Sequence, residues 1–281
     1  MGERAASDKR LSRYALAVEY TNSMRLPPGY RLIRVISPGP LTTVALARDA
    51  EGATRVVKRA AIGRAAGAIA HEATVLTALA QARVAGVPRL VGEWSDAFAM
   101  EWLELPTLGE RGDVMRANAG FRERVVRAAF TRLDAIHAAG VVHGDVSPGN
   151  VFVAEDAAFA AMADFGLAQM EGEACRDGAF RGTLLYVAPE VARGEPFGAR
   201  ADDFALAASL LQMASGEPLR RLAGPGASPA SLLLAAGSHP LDALHPWRRR
   251  APELFPAAMA EVLLQCLAYD ARDRPSVSRA W

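Results

Sequence analysis

The stretch from Val141 to Val151, VVHGDVSPGNV, restricts what this chain can fold into more than any other. It carries a carboxylate, Asp145, and an amide, Asn150, five positions apart. Glycine and proline between and beside them predict a loop, and apolar segments precede and follow that loop. A loop held between two packed elements fixes where its side chains point, so this stretch is a candidate reaction centre.

A further carboxylate, Asp164, stands in an Ala-Asp-Phe-Gly segment that again follows an apolar run. Phosphoryl transfer needs an acid that accepts or orients a proton, together with oxygen ligands for a metal ion. Asp145, Asn150 and Asp164 supply groups of these types. The residue types and their order therefore point to phosphoryl transfer.

The motifs resemble the signatures of eukaryotic-type Ser/Thr protein kinases, including their bacterial members. The signatures follow in family order: HGD ending at Asp145 with Asn150, DFG beginning at Asp164, and APE ending at Glu190. The resemblance implies an α+β, bilobal protein-kinase fold. A small antiparallel β lobe with one helix would precede a larger, mainly helical lobe.

The resemblance also implies the domain organisation. We expect an N-terminal helical extension over residues 1–28 and a protein kinase domain over residues 29–281. The small lobe would cover about 29–101, the hinge about 101–106 and the large lobe about 107–281. Apolar residues at helical spacing between Leu11 and Val18 predict an amphipathic helix in the extension.

The same resemblance implies the catalytic roles. Asp145 would accept or orient the proton of the substrate hydroxyl, and Thr183 would lie beside that hydroxyl. Asn150 and Asp164 would hold Mg²⁺ that bridges the phosphates of ATP. Two protein ligands suffice for magnesium, because phosphate and water complete its shell.

A lysine and a glutamate in the small lobe complete the implied catalytic set. Lys58 ends an apolar β pattern, and Glu72 follows fourteen residues later in a helical pattern. By the resemblance, Lys58 contacts the α- and β-phosphates and pairs with Glu72.

The implied nucleotide site is formed by a loop, an apolar sandwich and a hinge. Gly39 would belong to the loop over the phosphates, and Met100 would be the gatekeeper. The adenine would lie among Val44, Val56 and Phe152 and hydrogen-bond to the backbone of Glu101 and Leu103.

Two departures from the family concern regulation. Gly144 replaces the arginine that receives a phosphorylated activation loop in the family. The segment from Phe165 to Arg181 contains no Ser, Thr or Tyr. We therefore expect activity that does not depend on activation-loop phosphorylation.

Two other departures leave alternatives open. Ser147 replaces a lysine that contacts the γ-phosphate in Ser/Thr protein kinases, and the HGD loop also resembles kinase-like small-molecule phosphotransferases. The phosphate loop keeps Gly39 as its only glycine, with two prolines that lack backbone donors. Three hypotheses follow: a protein kinase acting on Ser/Thr hydroxyls of proteins, a phosphotransferase with a small-molecule acceptor, and a nucleotide-binding pseudokinase.

Composition excludes some partners and suggests a compartment. The 281 residues carry a net charge of +1, which does not support binding to nucleic acid or to an anionic membrane surface. Two cysteines are too few for a disulfide framework, so we expect a reducing, cytoplasmic compartment. Abundant Ala, Arg and Gly suggest a bacterial gene, and the sequence does not specify an oligomeric state.

Overall fold

The computed structural model describes residues 25–170, 182–217, 228–238 and 246–275. Among these, the residues up to Thr77 and Pro88–Leu103 form one compact unit. Ala78–Val87 and the residues from Glu104 onward form a second. The helix expected near the N-terminus and most of the expected activation segment lie outside the described residues.

The first unit is built on a five-stranded antiparallel sheet with the strand order β1-β2-β3-β5-β4. Alternation along the strands gives the sheet two distinct faces. On one face, Leu26, Tyr30 and Trp94 pack against a cluster that contains Val57 and Ala99. The strands are β1 (Arg31–Pro38), β2 (Thr42–Arg48), β3 (Thr54–Ala60), β4 (Leu90–Trp94) and β5 (Ala97–Glu101).

One α-helix, α1 (Ala66–Gln81), follows β3 after a short 3₁₀ turn at Gly63–Ala65. Its many alanines favour the helical state. Ile69, Leu76 and Leu79 are fully buried and lie on one face of the helix. The same periodicity brings Glu72 onto this buried face.

The second unit is mainly helical. Its longest helix buries the side of Phe121, Val125 and Leu133, and the side chain of Asn118 caps its first turn by accepting the N–H of Phe121. The helices are α2 (Gly112–Ala117), α3 (Ala119–Ala138), α4 (Pro189–Ala192), α5 (Ala199–Ser215), α6 (Pro229–Ser238), α7 (Pro246–Leu254) and α8 (Ala257–Cys266).

Two short antiparallel ladders position the loops of this unit. β6 (Val141–Val142) pairs with β9 (Gln169–Met170), and β7 (Val151–Val153) pairs with β8 (Ala160–Met162). The catalytic-loop stretch therefore runs from one ladder to the other. Helix α5 is buried on nearly all sides and ends at Gly216, whose φ of 74° suits a glycine C-cap.

An antiparallel sheet with its helix in one unit and a mainly helical second unit confirm the predicted α+β class. Within the described ranges, no helix has both the length and the apolar character needed to cross a bilayer.

Candidate active site

Asp145 is held from two directions in the loop between β6 and β7. The backbone N–H of Thr183 donates to Asp145 Oδ1 at 2.8 Å. Asn150 Nδ2 donates to the backbone oxygen of Asp145 at 2.9 Å and also lies 3.3 Å from its Oδ2. Three of the predicted catalytic residues thus form one hydrogen-bonded group.

The electrostatic surroundings of Asp145 favour a carboxylate that accepts a proton. Burial raises the pKa of the Asp145 carboxyl, and the negative charge of Asp164 raises it further. The hydrogen bonds from Thr183 and the nearby His143 lower this pKa but do not offset the burial. A carboxyl with a raised pKa is closer to the range in which general bases work well.

Asp164 lies at the same end of the β7–β8 ladder as Asn150. Val151 pairs with Met162, and one step further the N–H of Ala163 donates to the oxygen of Asn150 at 3.1 Å. Asp164 is exposed and has a φ of 67°, a left-handed conformation that is uncommon outside glycine. Strained residues of this kind concentrate at functional sites.

His143 connects these two loops. Its Nδ1 accepts the N–H of Asp145 at 3.3 Å, and its Nε2 donates to the oxygen of Ala163 at 3.1 Å. Its ring centroid lies 4.7 Å from that of Phe165. Both ring nitrogens are engaged, so His143 is a positioning residue.

The start of α5 anchors the catalytic loop through Asp202, a residue that the predicted catalytic and binding residues omit. The N–H groups of His143 and Gly144 donate to its two carboxylate oxygens at 2.7 and 2.9 Å. His137 Nε2 lies 2.9 Å from Asp202 Oδ2. The sequence signal for this anchor was a carboxylate at the start of an otherwise apolar helix.

Two glycines make the loop geometry possible. Gly144 has a φ of 77°, and a Cβ there would lie 2.5 Å from the oxygen of Leu167. Gly182 has a φ of 115°, and a Cβ there would lie 3.3 Å from Asp145 Oδ1. A side chain in place of the first glycine would require the Leu167 backbone to shift, and the second glycine lets Thr183 approach Asp145.

In the first unit, Lys58 and Glu72 form a buried ion pair. Lys58 Nζ lies 2.6 Å from Glu72 Oε2, and both side chains are at least nine-tenths buried. The strand register places Val44 opposite Lys58 and Met100 opposite Val56. Because opposite residues share a sheet face, these four side chains lie on one face.

The loop at Gly39 is a closed hairpin turn. The N–H of Gly39 donates to the oxygen of Thr42 at 3.0 Å, and a Cβ at Gly39 would lie 2.7 Å from that oxygen. That N–H, from the only glycine of this loop, is therefore engaged within the loop itself.

The expected hinge residues follow β5. Glu101 donates its N–H to the oxygen of Arg89 at 2.9 Å, and its carboxylate accepts Arg89 Nε at 2.8 Å. Leu103 has no backbone hydrogen-bond partner within the described ranges. In the second unit, Phe152 is half-buried on β7 and bridges to Thr107.

Glu190 at the start of α4 forms an ion pair with Arg274, which follows α8 in the sequence. The guanidinium of Arg274 donates to both carboxylate oxygens of Glu190 at 2.6 and 2.8 Å, and it also donates to the backbone oxygens of Arg200, Tyr269 and Ala268. Both side chains are buried. This bidentate pair fixes the segment that follows Thr183.

Comparison with known proteins shows similarity to protein kinases. A family model described as "Protein kinase domain" matches residues 30–281. Serine/threonine-protein kinase RAD53 of Saccharomyces cerevisiae is 31% identical over 53% of this chain and 18% of its own length. The DNA damage-responsive serine/threonine-protein kinase RqkA of Deinococcus radiodurans is 34% identical over 42% of this chain and 18% of its own length.

A third similar protein aligns over more of the chain. Serine/threonine-protein kinase PknJ of Mycobacterium tuberculosis is 28% identical over 66% of this chain and 33% of its own length. The chain thus spans a third or less of the length of each of these three relatives.

Proposed function

This chain belongs to the protein kinase family, and from that premise we propose that it transfers the γ-phosphate of Mg²⁺-bound ATP to serine or threonine hydroxyls of proteins. The observation that carries the proposal is the group of Asp145, Asn150 and Thr183, with Asp164 at the adjoining end of the β7–β8 ladder.

Asp145 acts on the acceptor. The substrate hydroxyl oxygen forms a bond to the γ-phosphorus while the bond from that phosphorus to the β–γ bridging oxygen breaks, and ADP leaves. Asp145 orients the hydroxyl and takes its proton. The Thr183 N–H and Asn150 side chain hold Asp145 in position for this step, and positioning is a large part of phosphoryl-transfer catalysis.

Asn150 and Asp164 suit a magnesium ion. They offer an amide and an exposed carboxylate at one end of a ladder, and Mg²⁺ in nucleotide sites takes few protein oxygens besides phosphate and water. When bound, Mg²⁺ neutralises charge on the phosphates. The described residues hold no group of three acidic, His or Cys side chains that would form an all-protein cage.

Lys58 binds the phosphates in this proposal, and Glu72 holds its ammonium in place. Val44, Val56, Met100 and Phe152 supply apolar contacts to the adenine. The backbone groups of Leu103, which have no partner among the described residues, suit hydrogen bonding to the base.

Phosphorylation of the activation segment is not needed in this proposal. Gly144 provides no cation to receive a phosphate, and a side chain there would require the Leu167 backbone to shift. Thr183 already donates its N–H to Asp145. A phosphate on Thr183 would repel that carboxylate, so we expect Thr183→Glu to lower activity and phosphatase treatment to leave wild-type activity unchanged.

A protein acceptor is preferred over a small molecule because the Glu190–Arg274 pair supports the segment after Thr183, where the family docks its peptide. Ser147 is buried where the family's γ-phosphate lysine would stand, and this favours the small-molecule acceptor as the alternative. The closed turn at Gly39 favours the pseudokinase.

The test is transfer of labelled γ-phosphate from Mg²⁺-ATP to the chain itself and to a generic basic protein. Asp145→Asn and Asp164→Ala should each reduce transfer by about 10²–10⁴-fold. Asp113→Asn is the matched control, because Asp113 is an exposed acid on α2.

Equal transfer by wild type and both variants would refute the assignment. If ATP stabilises the chain but no protein becomes labelled, the proposal that the chain phosphorylates proteins is refuted. Labelling of an aminoglycoside or another small hydroxyl compound would then identify the alternative.

A further inference from the structure

A basic groove lies on the second unit, between the exposed face of α3 and the turn that joins β7 to β8. Its volume is about 300 Å³, at the small end of the range of ligand sites. We call it the α3 groove, and it is lined by Arg124, Arg127, Ala128, Thr131, Arg132 and residues 157–160. None of these residues has a role in the proposed phosphoryl transfer.

Two of its arginines are fixed by carbonyls rather than by acids. Arg124 Nε donates to the oxygen of Asp156 at 2.8 Å, and Arg132 Nε donates to the oxygen of Ala160 at 2.9 Å. Neither guanidinium forms a salt bridge with any described residue. A carbonyl orients a guanidinium without neutralising its charge, so both side chains remain available to anions.

Arg132 is also partly withdrawn from water. It is half-buried, and this burial lowers its pKa. Its guanidinium lies 5.0 Å from the ring centre of Phe159, which is itself 38% exposed. A Cβ at Gly86 would lie 2.4 Å from Arg132 Nε, so the glycine makes room for this arrangement. The groove therefore presents a half-buried cation beside an aromatic surface.

The two acidic side chains that begin the turn, Glu155 and Asp156, are engaged elsewhere. Asp156 Oδ1 accepts the N–H of Ala158 at 2.9 Å, and Glu155 pairs with Arg111 at 3.3 Å. They do not supply the missing counter-charge for Arg132.

The basic run on α7 makes a useful contrast. Arg250 lies 3.4 Å from Glu217 and 3.6 Å from Glu253, so its charge is compensated within the chain. Arg248 and Arg249 are exposed on the same helix. What sets the α3 groove apart is that backbone carbonyls orient two of its guanidiniums and that the ring of Phe159 lies beside one of them.

We propose that the α3 groove docks an acidic peptide segment of a partner protein, with carboxylates on Arg124 and Arg132 and an apolar side chain against Phe159. Eight residues along a helix separate the two arginines by about 12 Å. An extended peptide rises about 3.3 Å per residue. The carboxylates of the docked segment are therefore three or four positions apart.

A peptide fits this surface better than nucleic acid does. The groove is short, and the net charge of the whole chain is only +1. Nucleic-acid surfaces instead combine many phosphate-binding cations over a broad face. Docking does not require phosphoryl transfer, so it can be measured without ATP and judged independently of the proposed activity.

The probe is a fluorescein-labelled peptide in which four glutamates flank one phenylalanine, measured by fluorescence polarisation with the full chain. Arg124→Glu with Arg127→Glu should weaken binding at least about tenfold, because Arg124, which holds a peptide carboxylate in this proposal, and Arg127, which lines the same groove, both become negative. Both residues are exposed, so the fold should survive. Phe159→Ser tests the apolar contact and should weaken binding by about threefold or more.

Arg248→Glu with Arg249→Glu is the matched control, since it changes the net charge equally on α7. This variant should bind the probe within about twofold of wild type. Equal weakening by both double variants, or equal binding of a peptide with glutamines in place of glutamates, would overturn the proposal. Tighter binding of a single-stranded oligonucleotide that the α3 variant abolishes would also overturn it, in favour of nucleic acid.

Discussion

Asp202 and Asp203 are consecutive residues at the start of α5, and both are buried, but their carboxylates meet opposite surroundings. Asp202 accepts the N–H groups of His143 and Gly144 and lies beside His137. Asp203 Oδ1 has no hydrogen-bond partner within the described ranges, and Arg200 stands 3.5 Å from its other oxygen.

The pKa values of the two carboxyls diverge accordingly. Burial raises the pKa of Asp202, but the hydrogen bond and charge of His137 and the other donors outweigh it, so this pKa is lowered. Burial, aided by the charge of Asp202, raises the pKa of Asp203 to about 7 although Arg200 and His137 oppose it. Burial alone therefore does not determine whether a carboxylate is stabilised; its donors do.

The largest effect on the free energy of unfolding is expected at Asp202, the carboxylate with the more hydrogen-bond donors. Asp202→Asn removes the charge that orders two backbone N–H groups of the catalytic loop. The free energy of unfolding should fall by about 3–5 kcal/mol, as when a buried charged network is broken. Urea denaturation measures it, with Asp113→Asn as control. The comparison fails if Asp202→Asn destabilises no more than Asp203→Asn.

Asp203→Asn should change the free energy of unfolding in the opposite direction. The folded pKa of about 7 lies above the ordinary 3.8. Below pH 3.8 the carboxyl is protonated in both the folded and the unfolded chain, so it has no effect on stability there, and stability is lost as the pH rises from 3.8 towards 7. That pKa difference corresponds to at most about 4 kcal/mol.

We expect Asp203→Asn to stabilise the protein by about 1–3 kcal/mol at about pH 8 and to bring no gain near pH 4. Urea denaturation at both pH values measures the difference. An equal effect at the two values would show that Asp203 does not titrate within this range in the folded chain.

A smaller loss is expected when the loop held by Asp202 is displaced. Gly144→Ala places a Cβ against the oxygen of Leu167 and forces alanine into a left-handed conformation. The free energy of unfolding should fall by about 2 kcal/mol. Gly198→Ala is the matched control, because its φ is −147° and no atom lies within 4 Å of its Cβ position. Equal thermal shifts for the two variants would contradict the prediction.

The smallest effect concerns the imidazole beside Asp202. Burial lowers the pKa of His137, but the hydrogen bond to Asp202 and the charges of Asp202, Asp203 and Asp134 raise it more. A raised pKa contributes stability that is fully present below pH 6.5 and is lost as the pH rises through the folded value.

His137→Gln should therefore destabilise by about 1 kcal/mol below pH 6 and by less above pH 8. Denaturation at both pH values measures this effect. A constant difference across this range would show that His137 does not change its protonation state between the two pH values.

Much of the fold and of the site could be predicted from the sequence, because short local motifs indicate it. The order of the signatures predicted the α+β class, and the strand pattern placed Lys58 on a strand, which continues two residues further, to Ala60. The predicted roles of Lys58, Asn150 and Asp164 remain predictions. The structure adds only where their side chains lie.

Other features depend on residues far apart in the chain. The consecutive acids at 202 and 203 look alike in sequence, and only the packed loop distinguishes them. The α3 groove joins Arg132 to Phe159 and Gly86, which no local pattern connects. The left-handed backbone at Asp164 is likewise not indicated by its residue type.

The contact between Gly144 and the oxygen of Leu167 has a consequence for how such a chain can change over generations. A regulatory arginine at position 144 would first need another path for the Leu167 backbone. Replacing Gly144 alone is therefore not enough to place that arginine, because the backbone at Leu167 has to shift as well. Evolution, or an engineer who wishes to install such control, has to alter both places together.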